Sequence, residues 1–429
     1  MFKLDPKKLT DCDVAVIGGG VAGVSAAVTA ARQGASVTLL ESDNCLGGIL
    51  TESTVAYIMD KGGKSGIVKE LYDFLHEHDM CCPRFGDRRD ETGHNRKGDL
   101  LDVEGAKYFF DKICTEAGVR VLFHSRAIAA EQDETGITSL LLSTDCGLYT
   151  LKATVYIDAS GNGDIADMVG CEWECGEPGT GRVQPASIGG VVSGFDESYN
   201  GVEGEATKTA YGNMLREHGI ITSSGQASVV KLPQASGVWG MDVNFQYDVH
   251  PDDIEGLSRA TIEGRKEEFD VVEAHKKIPG YEKLSLLYTS SHIGCRDTRR
   301  IHGVYRLTND DILNGRRFED AICLVHAHVD VHKLTNDDTL DLSRGVKSQP
   351  YHIPYRCLLP LGCKNLLLAG KCISGDFYPQ TSYRMMGNMA STGEAAGFAA
   401  AECVAKNITP IEVDGKAVSA FMVQSGHIL

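Results

Sequence analysis

The chain has no long run of apolar residues, no internal repeat and no low-complexity segment. A bilayer-spanning helix needs about 20 consecutive, mostly apolar residues, so the sequence predicts no transmembrane segment. Its first residues, MFKLDPKKLTDCD, lack the hydrophobic core of a signal peptide. We therefore expect a cytoplasmic protein.

Basic residues are also fewer than acidic ones. Lysine and arginine number 42 against 59 aspartate and glutamate residues, which gives a net charge of −17. Nucleic acid and anionic membranes both favour basic surfaces, so neither is expected as a partner. A small-molecule substrate is the expected partner, and a homo-oligomer is left open by the sequence.

Cysteine is present but not in the patterns that zinc sites or disulfide frameworks show. The 14 cysteines are scattered through predicted strands and helices. The two close pairs, Cys81 with Cys82 and Cys171 with Cys175, have no further metal ligands near them in sequence. Without an export signal, we interpret all of them as reduced thiols.

The strongest positive signal is the segment DVAVIGGGVAGVSAAVTAARQGASVTLLES, which predicts strand, tight turn, helix and strand. Gly18, Gly20 and Gly23 form a G-x-G-x-x-G motif at that turn. Gly18 allows the turn, Gly20 lets the backbone approach a pyrophosphate, and Gly23 lets helix and strand pack closely. Glu41, with Ser42 after it, follows the second strand, where an acidic residue accepts hydrogen bonds from ribose hydroxyls. The motif predicts a dinucleotide site, and both NAD and FAD use such a turn.

The rest of the chain predicts an α/β architecture. VEGAKYFFDKICTEAG has the pattern of an amphipathic helix, and VRVLFH, ITSLLLST and LYTLKATVYIDASG have the pattern of three strands. KNLLLAG and a small-residue helix from Gly387 to about Lys406 resemble the opening strand, turn and helix. We predict a discontinuous dinucleotide domain at residues 1–170 and 351–429.

The middle of the chain has a different character. Predicted strands such as ASIGGVVSGFD and VWGMDVNFQYDV alternate there with a long polar helix after Pro251. We predict an inserted α+β substrate or cap domain at residues 171–350.

Six segments along the chain identify a family resemblance. GGGVAG…LLES, LGG and IDASGNGD resemble the FAD-binding fold of the glutathione-reductase type. SSHIGCRDTRRIHGVYRLTNDDILNGRRFEDAI, DVH and LLLAGKCIS…SYRMMGNMASTGEAAGFAAA are similar to a broad group of FAD-dependent oxidoreductases. These are distant relatives of the fumarate reductase and glucose-inhibited-division flavoproteins. The resemblance covers nearly the whole chain and implies a Rossmann-like FAD-binding domain with FAD as the cofactor.

The resemblance also implies which residues contact that cofactor. The expected set comprises the two glycine turns, the acid after the second strand, a loop beneath the cofactor, the end of the last strand and the start of the last long helix: Gly18, Gly20, Gly23, Glu41, Ser42, Gly47, Gly48, Ala159, Ser160, Gly161, Gly370, Gly387 and Asn388. Amides at the start of the helix near Gly387 could hydrogen-bond the flavin, and the helix dipole would stabilise negative charge on it.

Arginines supply the candidate substrate contacts. The segment GCRDTRR contains three arginines within five positions, Arg296, Arg299 and Arg300. The simpler interpretation of such a charge run is a solvent-exposed face. We expect Arg296 and Arg299 to meet substrate in the cleft. Arg384, just before the helix that begins near Gly387, is the best single arginine for orienting an anionic or hydroxylated substrate.

The segment VHAHVDVH, residues 325–332, has the alternation of a strand, with His326, His328, Asp330 and His332 on one face. From the residues alone it could bind a metal, move protons or contact substrate, or simply face water. In the resembling group an Asp-x-His lies at this point, and Asp330 and His332 match it. We therefore expect His332 to be the general base, Asp330 to fix its tautomer, and Arg384 to assist them. We expect His328 to contact substrate and no metal to bind.

The favoured function is hydride transfer between flavin and a small polar, hydroxyl-bearing substrate such as a sugar or cyclitol. Reduction of an activated C=C bond is an alternative. A non-catalytic flavin-binding scaffold is an alternative of another class. No second nucleotide motif for NADPH is present, so the electron acceptor or donor is open.

Overall fold

The computed structural model describes residues 5–53, 55–83, 99–196, 199, 201–202, 205–225, 227–233, 237–336 and 344–429. Within these ranges the strands are β1 Lys7–Lys8, β2 Cys12–Ile17, β3 Val37–Leu40, β4 Cys81–Pro83, β5 Asp99–Leu101, β6 Arg120–Leu122, β7 Ser125–Asp133, β8 Gly136–Thr144, β9 Gly147–Leu151, β10 Ala153–Asp158, β11 Trp173–Glu174, β12 Gly190–Ser193, β13 Ser228–Lys231, β14 Val238–Asp242, β15 Ser285–Thr289, β16 Arg300–Ile301, β17 Ala321–Val325, β18 Tyr351–Pro354 and β19 Leu366–Leu368.

The helices of the same ranges are α1 Val21–Arg32, α2 Ile49–Glu52, α3 Gly66–Glu77, α4 Val103–Glu116, α5 Asp164–Met168, α6 Glu205–Glu217, α7 Ile254–His275, α8 Asn309–Leu313, α9 Phe377–Tyr383, α10 Met386–Lys406 and α11 Gly415–Gln424. Short 3-10 helices cover Tyr355–Leu358 and Pro410–Glu412. No helix in these ranges combines the length and apolar composition needed to cross a membrane.

A parallel sheet of five strands in the order β19-β10-β2-β3-β6 forms the centre of the molecule. Its strands are short apolar runs such as VTLL and LLL, which are buried throughout. Such runs are typical of parallel strands covered on both faces. The sheet contains strands from both the first and the last part of the chain, as in a Rossmann-like α/β fold.

Helices α1 and α10 pack together over this sheet, and glycines let them approach closely. A Cβ atom at Gly393 would overlap the carbonyl of Ala22, and one at Gly397 would overlap the carbonyl of Ala26. Because no larger residue fits at either position, the small-residue composition of α10 has a packing cause.

A second, antiparallel sheet lies in the middle of the chain, in the order β13-β14-β12-β15. Val192, Trp239 and Met241 from this sheet form an apolar cluster with Val271 and Val272 of α7. This cluster is separate from the main core. Not all of the middle segment joins it, since β17 pairs with β18 and packs in the main core through residues such as Ile322 and Val325.

Two predicted strands differ from the structure. LYTLKATVYIDASG is not one strand, because it breaks at Lys152 into β9 and β10, which belong to different sheets.

The prediction of a strand over residues 325–332 is wrong beyond Val325, where β17 ends. The backbone after it bonds to side chains instead of to a neighbouring strand. The amides of His326 and Ala327 both donate to Asp60 Oδ2 at 3.0 Å, and the Ala327 carbonyl accepts from Ser382 Oγ at 2.6 Å. Side-chain exposure still alternates along residues 326–332, although they form no strand. The alternation in the sequence therefore did not indicate a strand here.

Candidate functional site

The glycine turn between β2 and α1 has the local geometry that its spacing predicts. Gly18 has a φ of +100°, and a Cβ atom there would lie 2.5 Å from the Ala159 carbonyl oxygen. A Cβ atom at Gly23 would overlap the Gly18 carbonyl, so both positions are closed by packing. At Gly20 the same atom would meet nothing within 4 Å. Gly20 therefore faces open space beside the N-terminus of α1, where a pyrophosphate would bind.

The acid expected at the ribose position lies directly after β3. Glu41 is 7% exposed, and its Oε2 accepts from the Gly19 amide at 2.6 Å. Its Oε1 accepts from the Asp43 amide at 2.9 Å and from the Ser42 hydroxyl at 3.0 Å. The carboxylate is thereby fixed against the glycine turn at the end of β3, where the sequence predicts a ribose contact.

A second glycine loop closes over the first. The Gly47 amide donates to the Gly19 carbonyl at 2.8 Å, and Gly48 has a φ of +56°. A Cβ atom at Gly48 would lie 3.0 Å from the Gly20 Cα atom. The two loops thus present bare backbone to the same space.

A third loop follows β10 and a fourth follows β19. The Ala159 amide donates to the Ile17 carbonyl at 2.9 Å, and Ser160 Oγ donates to Asp158 Oδ1 at 2.7 Å. The Gly370 amide donates to Thr392 Oγ1 of α10 at 2.9 Å. The carboxyl ends of parallel strands meet at one edge of a sheet, which is where α/β folds bind nucleotides. The predicted turn residues gather at that edge.

The start of α10 differs in detail from the expectation. The Gly387 amide donates to the Met59 carbonyl at 3.1 Å, and a Cβ atom at Gly387 would overlap the Asp60 carbonyl. This amide therefore already has an acceptor. The neighbouring Asn388 has a buried Nδ2 without a partner in the described part of the chain, which makes its side chain the freer donor at this helix start.

The predicted catalytic residues lie together. Arg384 Nη2 donates to the Asp330 carbonyl at 2.9 Å and to its Oδ2 at 3.2 Å. His332 Nε2 lies 3.6 Å from the same Oδ2. Gln184 joins them, because its Oε1 accepts from the His332 amide at 3.2 Å and from Arg384 Nη2 at 3.4 Å. We call His332, Asp330, Arg384 and Gln184 the polar cluster.

The pKa values of Asp330 and His332 in the polar cluster are both lowered. Burial alone would raise the pKa of Asp330, but His332 and the guanidiniums of Arg384 and Arg296 outweigh it and lower that pKa. Burial and the positive charge of Arg296 lower the pKa of His332 to about 4, against the opposing effect of Asp330. The imidazole is therefore neutral at pH 7 and can accept a proton.

Arg296 lies next to the polar cluster, where Phe245 packs against it. Its Nη1 donates to the Pro185 carbonyl at 2.7 Å and to Ser187 Oγ at 2.9 Å. The guanidinium carbon lies 5.2 Å from the centroid of the Phe245 ring. The His332 ring meets the same Phe245 edge to face at 5.2 Å. Phe245 thus packs against both Arg296 and His332.

The segment that carries Arg296 touches the cofactor loops on two sides. Thr298 Oγ1 donates to the Gly161 carbonyl at 3.0 Å, and Lys371 Nζ donates to the Cys295 carbonyl at 2.7 Å. On the other side, a Cβ atom at Gly294 would lie 3.2 Å from Ile49 Cδ1, one residue after the second glycine loop. The polar cluster is therefore adjacent to the nucleotide edge.

Two predicted substrate residues are placed elsewhere. Arg299 pairs with Asp164 at 3.3 Å and Asp167 at 3.4 Å, and its guanidinium lies over Trp173 at 5.1 Å. These contacts hold the loop after β10 and do not include the polar cluster. His328 is exposed on the irregular segment after β17.

The histidines of that segment do not converge on a metal site. Among the described residues, His326, His328 and His332 are not close enough to share an ion. A different group, Asp43, Glu52 and His292, has ligand atoms within 4.8 Å of one another.

Gln184 and Phe245 were missed by sequence reasoning. Both come from the middle segment, more than 80 positions from His332 along the chain. Neither carries a local motif, and only the three-dimensional packing brings them to the polar cluster.

Comparisons with solved structures show the same fold in several enzymes. OxyS anhydrotetracycline hydroxylase from Streptomyces rimosus is 12% identical with a TM-score of 0.51, over 97% of this chain and 66% of that one. CabE, an aromatic hydroxylase from angucycline biosynthesis, is 13% identical with a TM-score of 0.52, over 92% and 63%. The flavin-dependent halogenase CmlS is 14% identical with a TM-score of 0.51, over 97% and 62%. At these identities the likeness shows the fold alone.

A sequence comparison gives the family. No curated protein matches the chain significantly. The sequence model of a family described as FAD dependent oxidoreductase matches residues 13–422, which is nearly the whole chain. That match agrees with the glycine loops, with the fixed Glu41 and with the open face of Gly20. The chain belongs to the FAD dependent oxidoreductase family, and FAD is its cofactor.

Proposed function

We propose that this oxidoreductase transfers a hydride between FAD and a small polar, hydroxyl-bearing substrate such as a sugar or cyclitol. The observation that carries the proposal is the neutral imidazole of His332, beside Asp330 and Arg384 and adjacent to the nucleotide edge. Removing a hydride from a carbinol carbon requires a base for the hydroxyl proton, and a neutral imidazole is such a base.

Each member of the polar cluster has a distinct role in this proposal. His332 takes the hydroxyl proton, and because its Nε2 faces Asp330, the accepting atom is Nδ1. Asp330 fixes that tautomer and stabilises the imidazolium that forms. Arg384 holds Asp330 by its side chain and its carbonyl, so the carboxylate cannot turn away from His332.

The cofactor residues are those gathered at the nucleotide edge. Gly18, Gly20 and Gly23 would hold the pyrophosphate, and Glu41 the ribose. When bound, FAD supplies the acceptor or donor of the hydride. Ser42, Gly47, Gly48, Ala159, Ser160, Gly161, Gly370, Gly387 and Asn388 complete the proposed set.

We also propose that the fold is of the glutathione-reductase type, with a substrate domain inserted at residues 171–350. The antiparallel sheet with its own apolar cluster supports the insertion. Because β17 pairs with β18 and packs in the main core, the separate cluster supports only the part of the insertion that precedes β17.

Reduction of an activated C=C bond is less well supported by the same residues. That reaction needs a proton donor to the second carbon, and the lowered pKa of His332 disfavours the protonated imidazole. Oxidation of a carbinol uses the imidazole in the form that the site favours.

The test is an anaerobic screen of the FAD-loaded protein against metabolites that bear hydroxyl groups, with flavin absorbance as the signal. At least one carbinol should bleach the flavin. A protein that no carbinol bleaches, but whose chemically reduced flavin is reoxidised by an activated alkene, would refute the proposed direction. A flavin that responds to no metabolite would favour the scaffold alternative.

A further inference from the structure

The guanidiniums of Arg384 and Arg296 have fewer carboxylate partners than are needed to neutralise both charges. Arg384 shares Asp330 with His332. Arg296 has only neutral hydrogen-bond acceptors, a carbonyl and a hydroxyl, and no carboxylate lies within 4 Å of it among the described residues.

The nearby aspartates do not neutralise the charge of Arg296. Asp330 already has a guanidinium partner, and Asp297 Oδ1 is bound by Arg300 Nη1 at 3.0 Å. Burial raises the pKa of Asp242, which favours its neutral form. The positive charge of Arg296 is therefore left without a direct counterion in the described part of the molecule.

Two buried donors of the polar cluster also have no acceptor. Gln184 is 2% exposed, yet its Nε2 has no hydrogen-bond partner among the described residues, and neither has the buried Nε of Arg384. A buried donor without an acceptor costs about 1–3 kcal/mol. Such donors in a functional site indicate a ligand that brings acceptor atoms with it.

We propose that the substrate is a 2-hydroxy acid, whose carboxylate is bound by Arg296, Arg384 and Gln184 and whose hydroxyl faces His332. A carboxylate offers two acceptor oxygens and one negative charge, which matches two guanidiniums and an amide. One Gln184 side chain contacts both the His332 backbone amide and Arg384, and Arg296 donates to the carbonyl of the next residue, Pro185. That arrangement suits a carboxylate directly next to the carbinol carbon. This inference rests on the proposed hydride transfer.

The reaction balances without a further reagent. The carbinol C–H bond breaks, and its electron pair leaves as hydride to FAD. The hydroxyl proton passes to His332, and the C–O bond becomes a carbonyl. The product is a 2-oxo acid, and FAD gains two electrons.

The negative charge of the substrate also has a chemical consequence for the base. The positive charges of Arg296 and Arg384 lower the pKa of His332. An anion bound between them offsets that effect, so the imidazole becomes a stronger base when the correct substrate is present. An uncharged substrate would not produce this offset.

The test uses FAD-loaded protein and a matched pair of unreactive probes, oxalate and its uncharged diamide oxamide, at fixed ionic strength. Binding is followed by the change in flavin absorbance and by calorimetry. Oxalate should bind at least 10-fold more tightly than oxamide. Arg296→Gln and Arg384→Gln should each weaken oxalate about 10- to 100-fold, the range for a lost charged hydrogen bond. Arg259→Gln, at an exposed arginine of α7, should leave oxalate binding unchanged.

Equal binding of the two probes would overturn the proposal, as would oxalate binding that neither substitution weakens. If Arg384→Gln fails to fold or to retain FAD, Arg296→Gln decides the result, because its two contacts are to neutral atoms of one loop. Oxalate binding by a protein that no hydroxy acid reduces would support the anion site and refute the hydride transfer. Reduction by uncharged polyols that is unaffected in Arg296→Gln would uphold the hydride transfer and refute the hydroxy acid.

Discussion

Replacement of His332 by alanine is the most informative single change in the polar cluster. The substitution removes the imidazole that faces Asp330 and packs on Phe245. It keeps the backbone amide that donates to Gln184 at 3.2 Å. FAD should therefore remain bound, and the flavin spectrum should remain near that of the wild type.

The expected loss is large because nothing else in the polar cluster can accept the proton. Asp330 is the nearest alternative, but its pKa is lowered by His332 and the two arginines, which makes it a poor base. Loss of a general base slows a reaction by about 10²- to 10⁴-fold, which corresponds to about 2.7–5.5 kcal/mol of activation free energy. Substrate binding should change much less.

The pH dependence adds a signature that a purely structural role would not give. The base must be neutral, and the pKa of His332 is lowered to about 4 in the folded protein. The second-order rate constant for flavin reduction should therefore rise with pH through an inflection near 4, and not near the usual imidazole value of about 6.5. In His332→Ala the contribution of the base to this ascending limb should disappear.

The assay is anaerobic stopped-flow reduction of the bound flavin, with two control variants. Asp330→Asn should cost less than His332→Ala, because the imidazole remains while its tautomer and orientation are no longer fixed. His328→Ala should cost least, because that side chain is exposed on the irregular segment. Equal and small losses in all three variants would refute the reasoning, and the base would then have to be sought around Tyr383 and Arg384.

Three further results are expected. Gly20→Val should give folded but colourless protein, because its Cβ meets nothing in the polypeptide and would occupy the space of the pyrophosphate; a yellow variant with normal FAD content would contradict this. Gly23→Ala should instead lower the free energy of unfolding by about 3 kcal/mol, the upper end of ordinary overpacking, because its Cβ overlaps the Gly18 carbonyl; thermal melts of the two variants against wild type provide the check. Treatment with EDTA should leave flavin reduction unchanged, and elemental analysis should find no stoichiometric metal that is lost in His326→Ala.

The nucleotide edge could be predicted because its signals are local. A glycine turn between a strand and a helix fixes its own geometry within a few residues, and Gly18 and Gly23 are closed by packing while Gly20 faces open space. Glu41 was predictable for the same reason, since it lies at the end of the adjacent parallel strand.

The substrate side could be predicted only in part, because its contacts are between distant segments. The alternation of VHAHVDVH predicted a strand, yet Asp60 and Ser382 take the backbone hydrogen bonds that a neighbouring strand would need. A charge run such as GCRDTRR does not reveal which arginine meets which carboxylate. Arg296 lies beside the polar cluster against Phe245, whereas Arg299 pairs with Asp164, and only tertiary packing separates these outcomes.

The most direct test of the central claim is anaerobic mixing of FAD-loaded wild type and His332→Ala with a panel of 2-hydroxy acids and matched uncharged polyols. Our account predicts that at least one hydroxy acid bleaches the wild-type flavin, and that the same compound bleaches the variant at least 100-fold more slowly while FAD stays bound. Bleaching at the same rate in both proteins would contradict the role of His332. A wild-type flavin that no carbinol reduces would contradict the proposed reaction itself.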